Sequence, residues 1–191
     1  MRHKKFDPDN ARLKAMNLFW QKGYTACSMD ELLSETGLSR SSFYNAFGNK
    51  RDLYLSILDH FAHLSLSAYQ ILHANKSMEL ALNELFQLIF FSPAVKLDHG
   101  CLLVNTLLEQ QAHDIELANI ASQKLFLLEQ ELMFFFERSQ DSGQLKSKLQ
   151  PAELAAYFMT VIKGLRVAAR EGKSCSELKA NIQISLSILK H

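Results

Sequence analysis

The sequence has little that interrupts a helix. Only seven glycines and three prolines punctuate 191 residues, and few stretches show the two-residue alternation of a half-buried strand. Cysteine is scarce too. Cys27, Cys101 and Cys175 are an odd number without metal-ligand spacing, which excludes a disulfide framework and points to reduced thiols and a cytoplasmic setting. No apolar run approaches the roughly 20 residues of a membrane span. The leading MRHKKFDPDN lacks the apolar centre of a signal peptide. No membrane partner is therefore expected. Also missing are a glycine-rich phosphate loop, a nucleophile elbow and a His-Glu-x-x-His helix. Carboxylates are spread over polar faces rather than paired within apolar runs. An enzyme is not expected, nor a cofactor. His60, His63 and the His99-Gly100-Cys101 segment mark no third ligand, so no metal site is expected either.

What is present is enough for a substantial core, since 48% of residues are hydrophobic and 21% charged. Net charge is only +1, but it is unevenly placed. Residues 1–51 hold nine Lys/Arg against five Asp/Glu, and residues 52–191 hold twelve against fifteen. A basic head on a mildly acidic body fits a protein that presents one end to DNA.

The head contains SMDELLSETGLSRSSFYNAFGNK at residues 28–50. Ser28 and Glu31 have capping-box spacing, which predicts a helix from Met29. Gly37 can end it in the left-handed conformation. Ser39 can cap a second helix over Arg40–Phe47. Two short helices joined by a glycine-containing turn form a helix-turn-helix, whose second helix enters the DNA major groove. At about 100° per residue, Phe43 and Phe47 share a face that must be buried. Ser41 and Asn45 point away from it, with Ser42 and Tyr44 beside them and Arg40 at the helix start. Asn can pair adenine bidentately, Ser reads either kind of edge, and Arg reads guanine or holds phosphate. Lys50, behind the cap Asn49, opens the next helix and makes a phosphate site at its positive end. The predicted DNA-contacting set is Ser28, Ser39, Arg40, Ser41, Ser42, Tyr44, Asn45 and Lys50.

Ala15, Leu18-Phe19, Gly23-Tyr24, the Ser28-to-Gly37 helix and Ser39-to-Lys50 together resemble the N-terminal domain of TetR-family transcriptional regulators. The close match covers roughly the first 55 residues. Two positions depart from the usual pattern. Ala11-Arg12 replaces an apolar pair in the first helix. Ala46 stands where many members carry histidine, so one common phosphate contact is missing.

The remainder reads as helix throughout. Asp7 caps a first helix with Pro8 at its first position, running to about Lys22. A long fourth helix is predicted from Lys50 to about Ala74. Further helices begin after Ser77, near Cys101, after Asp114, at Pro151 and after Ser174, where Glu177 completes another capping box. The expected fold is all-α with nine helices: a three-helix DNA-binding domain over residues 1–52, and a larger effector-binding and dimerisation domain over 53–191.

The last two helices carry more apolar residues than one buried stripe requires. Gly164 and Ala168, four apart, allow close helix approach. Both features point to a homodimer through a four-helix interface, placed on Phe158, Val161, Leu165, Ala168, Ile182, Leu186 and Leu189. The resemblance implies the same, and a two-fold dimer reads a palindromic operator. The resemblance also implies a small-molecule effector in the larger domain. Phe61, Phe86, Phe90, Cys101, Met133, Phe134 and Met159 are the candidate lining of an apolar pocket for it, although such residues equally fill a core. Repression is the family's usual mode, and the expected function is a repressor released from its operator by a small hydrophobic effector. The alternative from the residues alone is a helical small-molecule-binding or protein-interaction module without a DNA role.

Overall fold

The computed structural model describes residues 7–74, 76–93, 95–145 and 147–190. Among them the chain forms nine α-helices: α1 (Pro8–Lys22), α2 (Met29–Thr36), α3 (Arg40–Phe47), α4 (Lys50–Tyr69), α5 (Met78–Phe91), α6 (Leu102–Gln110), α7 (Ile115–Asp141), α8 (Pro151–Arg170) and α9 (Cys175–Ser187). No strand occurs among the described residues. Among the described residues no helix is long and apolar enough to cross a membrane.

Helix boundaries follow their caps. The Asp7 side chain accepts from the N–H groups of Asp9 and Asn10, with Pro8 inside the first turn. Ser28 and Glu31 close the expected reciprocal box at α2, as do Ser174 and Glu177 at α9. Each cap satisfies donors the first turn would otherwise leave unpaired, and is worth about 1 kcal/mol. Gly37 ends α2 at φ 72°, a conformation costly for any residue with a Cβ. Among the described residues three short 3-10 segments were not anticipated, the last being Ile188–Lys190 after α9. The fourth helix tightens at Gln70–His73 instead of continuing to Ala74, and Leu97–His99 forms a turn in the expected loop.

α7, 27 residues long and so about 40 Å, is the spine of the larger domain and packs on α4, α6 and α8. α1, α2 and α3 gather at one end. They join the rest through α4, which contacts α1 and α3 as well as α5, α6 and α7. The core is continuous across this junction. Phe19 of α1 meets Tyr54 of α4 with ring centroids 4.8 Å apart, and Trp20 meets Phe61 at 5.0 Å.

Candidate nucleic-acid interface

α3 is oriented by one fully buried side chain. Phe43 has 0% exposure, and Phe47 lies against it with ring centroids 5.6 Å apart. Burying a phenylalanine stabilises by about 1.5–3 kcal/mol, enough to fix the rotation of so short a helix. The opposite side is open: Ser41, Ser42, Asn45 and Ala46 are exposed, and Tyr44 is 46% exposed. This surface offers an amide, a phenol, two hydroxyls and one methyl, and an alanine methyl can touch a thymine methyl in the major groove. Arg40 reaches across to Asp30 of α2 at 2.8 Å, and both side chains are well exposed. Exposed pairs contribute little, so Arg40 can exchange this partner for a phosphate or base at small cost.

Two of the expected contacts have other duties. Ser28 donates both its N–H and its hydroxyl to Glu31, each at 2.9 Å. Glu31 is held as a carboxylate, with its pKa lowered to about 2 by hydrogen bonds from Lys22 and then Ser28. An anion at the start of α2 opposes a phosphate there, so the structure assigns Ser28 to capping. Ser39 accepts from the Ser42 N–H at 3.2 Å and bonds the Ser42 hydroxyl at 2.8 Å. It sets the start of α3 and the direction of that hydroxyl. At α4, Asn49 accepts from the N–H groups of Arg51 and Asp52. The Lys50 ammonium lies 4.5 Å from the centre of the Tyr24 ring, at the edge of the head. Lys50→Ala is expected to weaken binding to all duplexes alike and to reduce the salt slope by about one unit per subunit. Salt titrations by fluorescence anisotropy measure it, and an unchanged slope removes Lys50 from the interface.

Sequence reasoning missed the groups that hold the head in place. Glu109, near the end of α6, accepts from the N–H groups of Tyr24 at 2.9 Å and Thr25 at 2.7 Å. Gln110 donates to the Thr25 hydroxyl at 3.1 Å, and the Tyr54 and Thr106 hydroxyls bond at 2.7 Å in the interior. Gly23 makes room for this latch: at φ 90°, a Cβ there would meet Glu109 Oε2 at 2.9 Å. Arg51, counted with the basic head, instead pairs inward with Asp114 at 3.2 Å and Glu116 at 2.7 Å. The signal for Glu109 was faint, because a lone acid on an amphipathic helix normally faces water.

Burial pushes the Glu109 pKa up, but the bonds from Thr25 and Tyr24 outweigh it and leave the pKa below its ordinary 4.5. Its stabilisation is therefore present above pH 4.5 and lost as pH falls through the lowered folded value. Glu109→Ala is expected to cost about 1–3 kcal/mol at neutral pH. In urea unfolding, the gap from the parent protein should narrow below about pH 4. A gap independent of pH would mean that the carboxylate is not what holds the loop.

The other expected site residues differ in their exposure. Phe158, Leu165, Ile182 and Leu186 are at most 6% exposed and belong to the subunit's own core. Val161, Ala168 and Leu189 are partly exposed. The outward stripe of α8 is instead Tyr157, Thr160, Gly164 and Val167, joined on α9 by Ile184 at 69% exposure. Among the expected pocket residues, Phe86 and Phe90 stack at 6.1 Å, and Met159 accepts from the buried Tyr69 hydroxyl at 3.9 Å. Phe61 packs on Trp20. These side chains fill space rather than enclose it. Met133 is partly buried. Phe134 is 48% exposed and faces outward from α7. Cys101 does line a cleft, between α6 and α8. Cys27 is buried and its thiol pKa is pushed up to about 11 by that burial, which leaves it unreactive. Among the described residues no three His, Cys, Asp or Glu side chains form a metal-binding group.

Comparison with known proteins agrees with this arrangement. Residues 13–57 match the family model of bacterial regulatory proteins of the tetR family. The chain is 31% identical over 180 residues to the HTH-type transcriptional repressor ComR of Escherichia coli K12, covering 93% of this chain and 86% of ComR. It is 28% identical over 191 residues to the HTH-type transcriptional regulator YezE of Bacillus subtilis 168, covering 98% of each. Among solved structures, a cysteine mutant of the TetR-family regulator CifR, complexed with 26-base-pair operator DNA, superimposes with a TM-score of 0.83. The two share 26% identity over 99% of this chain and 100% of that one. A helical module without a DNA role does not fit these likenesses, and the regulators of this family are non-enzymatic DNA-binding proteins. The chain belongs to the TetR family of bacterial transcriptional regulators.

Proposed function

We propose that the protein is a cytoplasmic repressor that binds a palindromic operator as a homodimer and leaves it when a small effector binds the body. Residues 1–52 form the reading head, and residues 53–191 the effector and dimerisation domain. The observation that carries this reading is the outward face of α3. Ser41, Ser42, Tyr44 and Asn45 have no role in the core, yet stand together on a helix whose rotation Phe43 fixes. Each head places that face in a major groove, with Arg40 and Lys50 on flanking phosphates.

Dimerisation uses the outward stripe of α8 with Ile184 of α9. Gly164 supports this placement, because a Cβ there would meet nothing within 4 Å in the subunit, leaving its surface free for a close helix crossing. Two heads related by a two-fold axis meet half-sites about 34 Å apart, or a multiple of that.

Release requires an effector that prefers the non-binding arrangement of the heads. α6 is placed to transmit that preference together with α4. Cys101, Val104 and Leu108, at the start and along one face of α6, line a cleft in the body, while Glu109 and Gln110 hold the head and Thr106 bonds Tyr54 of α4. Selection of bound duplexes from a random pool tests the reading. An inverted repeat supports it, and a pool without common sequence rejects it.

A further inference from the structure

We infer that the cleft between α6 and α8 is the effector site, and that it takes a small organic anion with a carboxylate-like group on a short apolar body. This rests on the release reading above and replaces the phenylalanine-rich centre as the place where a ligand sits. The cleft has a volume of about 200 Å³, below the roughly 300–1,000 Å³ of pockets for drug-sized ligands. Its occupant is therefore small.

The charge of the site decides the ligand's sign. Arg166 of α8 is among the residues lining the cleft and is mostly removed from water. It donates to the backbone carbonyls of Ile89 and Gly100, and its guanidinium lies 5.0 Å from the centre of the Phe90 ring. Two of its five N–H donors are so engaged, which leaves three. Among the described residues it forms no ion pair with a carboxylate. Burial lowers its pKa, opposed only by the Cys101 thiol and the Tyr69 phenol, neither of which is an ordinary anion at neutral pH. Arg170, one helical turn on, lines the same cleft. Glu171 at the rim is exposed and pairs with neither arginine. Two guanidinium groups against one solvated carboxylate favour an anion and repel a cation. A neutral ligand would leave Arg166 uncompensated.

The rest of the lining sets the ligand's body. Val104, Leu108 and Val167 make the exposed wall mostly apolar, so a bare inorganic ion would lose hydration without filling the space. A carboxylate on a short chain or single ring satisfies both halves. A bidentate bond to a guanidinium offsets the cost of removing the carboxylate from water.

Titration of the full-length protein with benzoate, hexanoate and the neutral analogue benzamide, followed by calorimetry without DNA, tests the site. Benzoate or hexanoate should bind, and Arg166→Met should weaken that binding roughly 10- to 100-fold. Arg170→Gln, at an exposed position that leaves the fold intact, should weaken it in the same direction. The proposal is overturned if neither carboxylate binds, if benzamide binds as well as benzoate, or if both variants keep the parent affinity. Operator release is read separately by anisotropy. A carboxylate that binds through Arg166 yet leaves the operator complex intact overturns the effector assignment and spares the repressor reading. A neutral compound that releases DNA equally from the Arg166→Met variant overturns both site and ligand class, while release by an effector stands.

Discussion

Replacing Phe158 by alanine is expected to lower the unfolding free energy of the subunit by roughly 3–5 kcal/mol. The side chain has 0% exposure and sits within an aromatic cluster. Its ring centroid is 5.4 Å from that of Phe136 and 6.3 Å from that of Phe86. Removing it leaves a cavity that rings packed this closely cannot collapse to fill. Ile184→Asp should do the opposite. That side chain is 69% exposed, so the substitution costs the isolated subunit little while placing a charge in the proposed interface. Size-exclusion chromatography together with urea unfolding separates the cases: the core variant stays dimeric with a lower unfolding free energy, and the interface variant runs as a folded monomer whose unfolding no longer depends on protein concentration. If Phe158→Ala mainly dissociated the dimer, or Ile184→Asp mainly unfolded the subunit, the assignment of inner and outer faces on α8 and α9 would be reversed.

Asn45→Ala is expected to remove specific operator binding with almost no change in melting temperature. A bidentate contact to a base is worth about 1–3 kcal/mol of discrimination. A dimer makes it twice, so the loss is about 2–6 kcal/mol across both half-sites. Asn45 is exposed, and surface changes of this kind typically alter stability by no more than about 0.5 kcal/mol. Tyr44→Ala should behave alike, since its ring is 46% exposed and its contact with Phe43 is edge-on at 6.1 Å. Anisotropy with operator duplex and calorimetric melting give the two readouts. A large stability loss with operator affinity retained would mean that α3 is rotated and that these residues belong to the core.

Much of this protein is legible in its sequence because its signals are local. Ser39 and Gly48 bound α3 at Arg40 and Phe47, and the two phenylalanines four apart identify its buried face. Such rules depend on neighbours within one turn. They lose force where both faces of a helix are apolar. On α8, Phe158 and Tyr157 are adjacent and both aromatic, and only the fold decides that one is buried while the other is 37% exposed. Contacts between distant segments were illegible for the same reason. Glu109 is 85 residues from Tyr24, and nothing local distinguishes it from a solvated acid. Arg166 was hidden likewise: a basic residue on an amphipathic helix ordinarily faces water, yet here its partners are carbonyls from a helix and a loop well before it in the chain.

The likeness to operator-binding regulators makes the protein a DNA-binding regulator, and the proposed reading surface is the exposed face of α3. Anisotropy with two labelled duplexes, a selected operator and its scrambled counterpart, measured across a salt series, tests this claim most directly. The account predicts tighter binding to the operator by about 10³-fold or more, a steep salt dependence on both duplexes, and collapse of the preference in Asn45→Ala with the salt slope retained. Equal affinity for the two duplexes, or a preference that survives Asn45→Ala and Tyr44→Ala together, would contradict it.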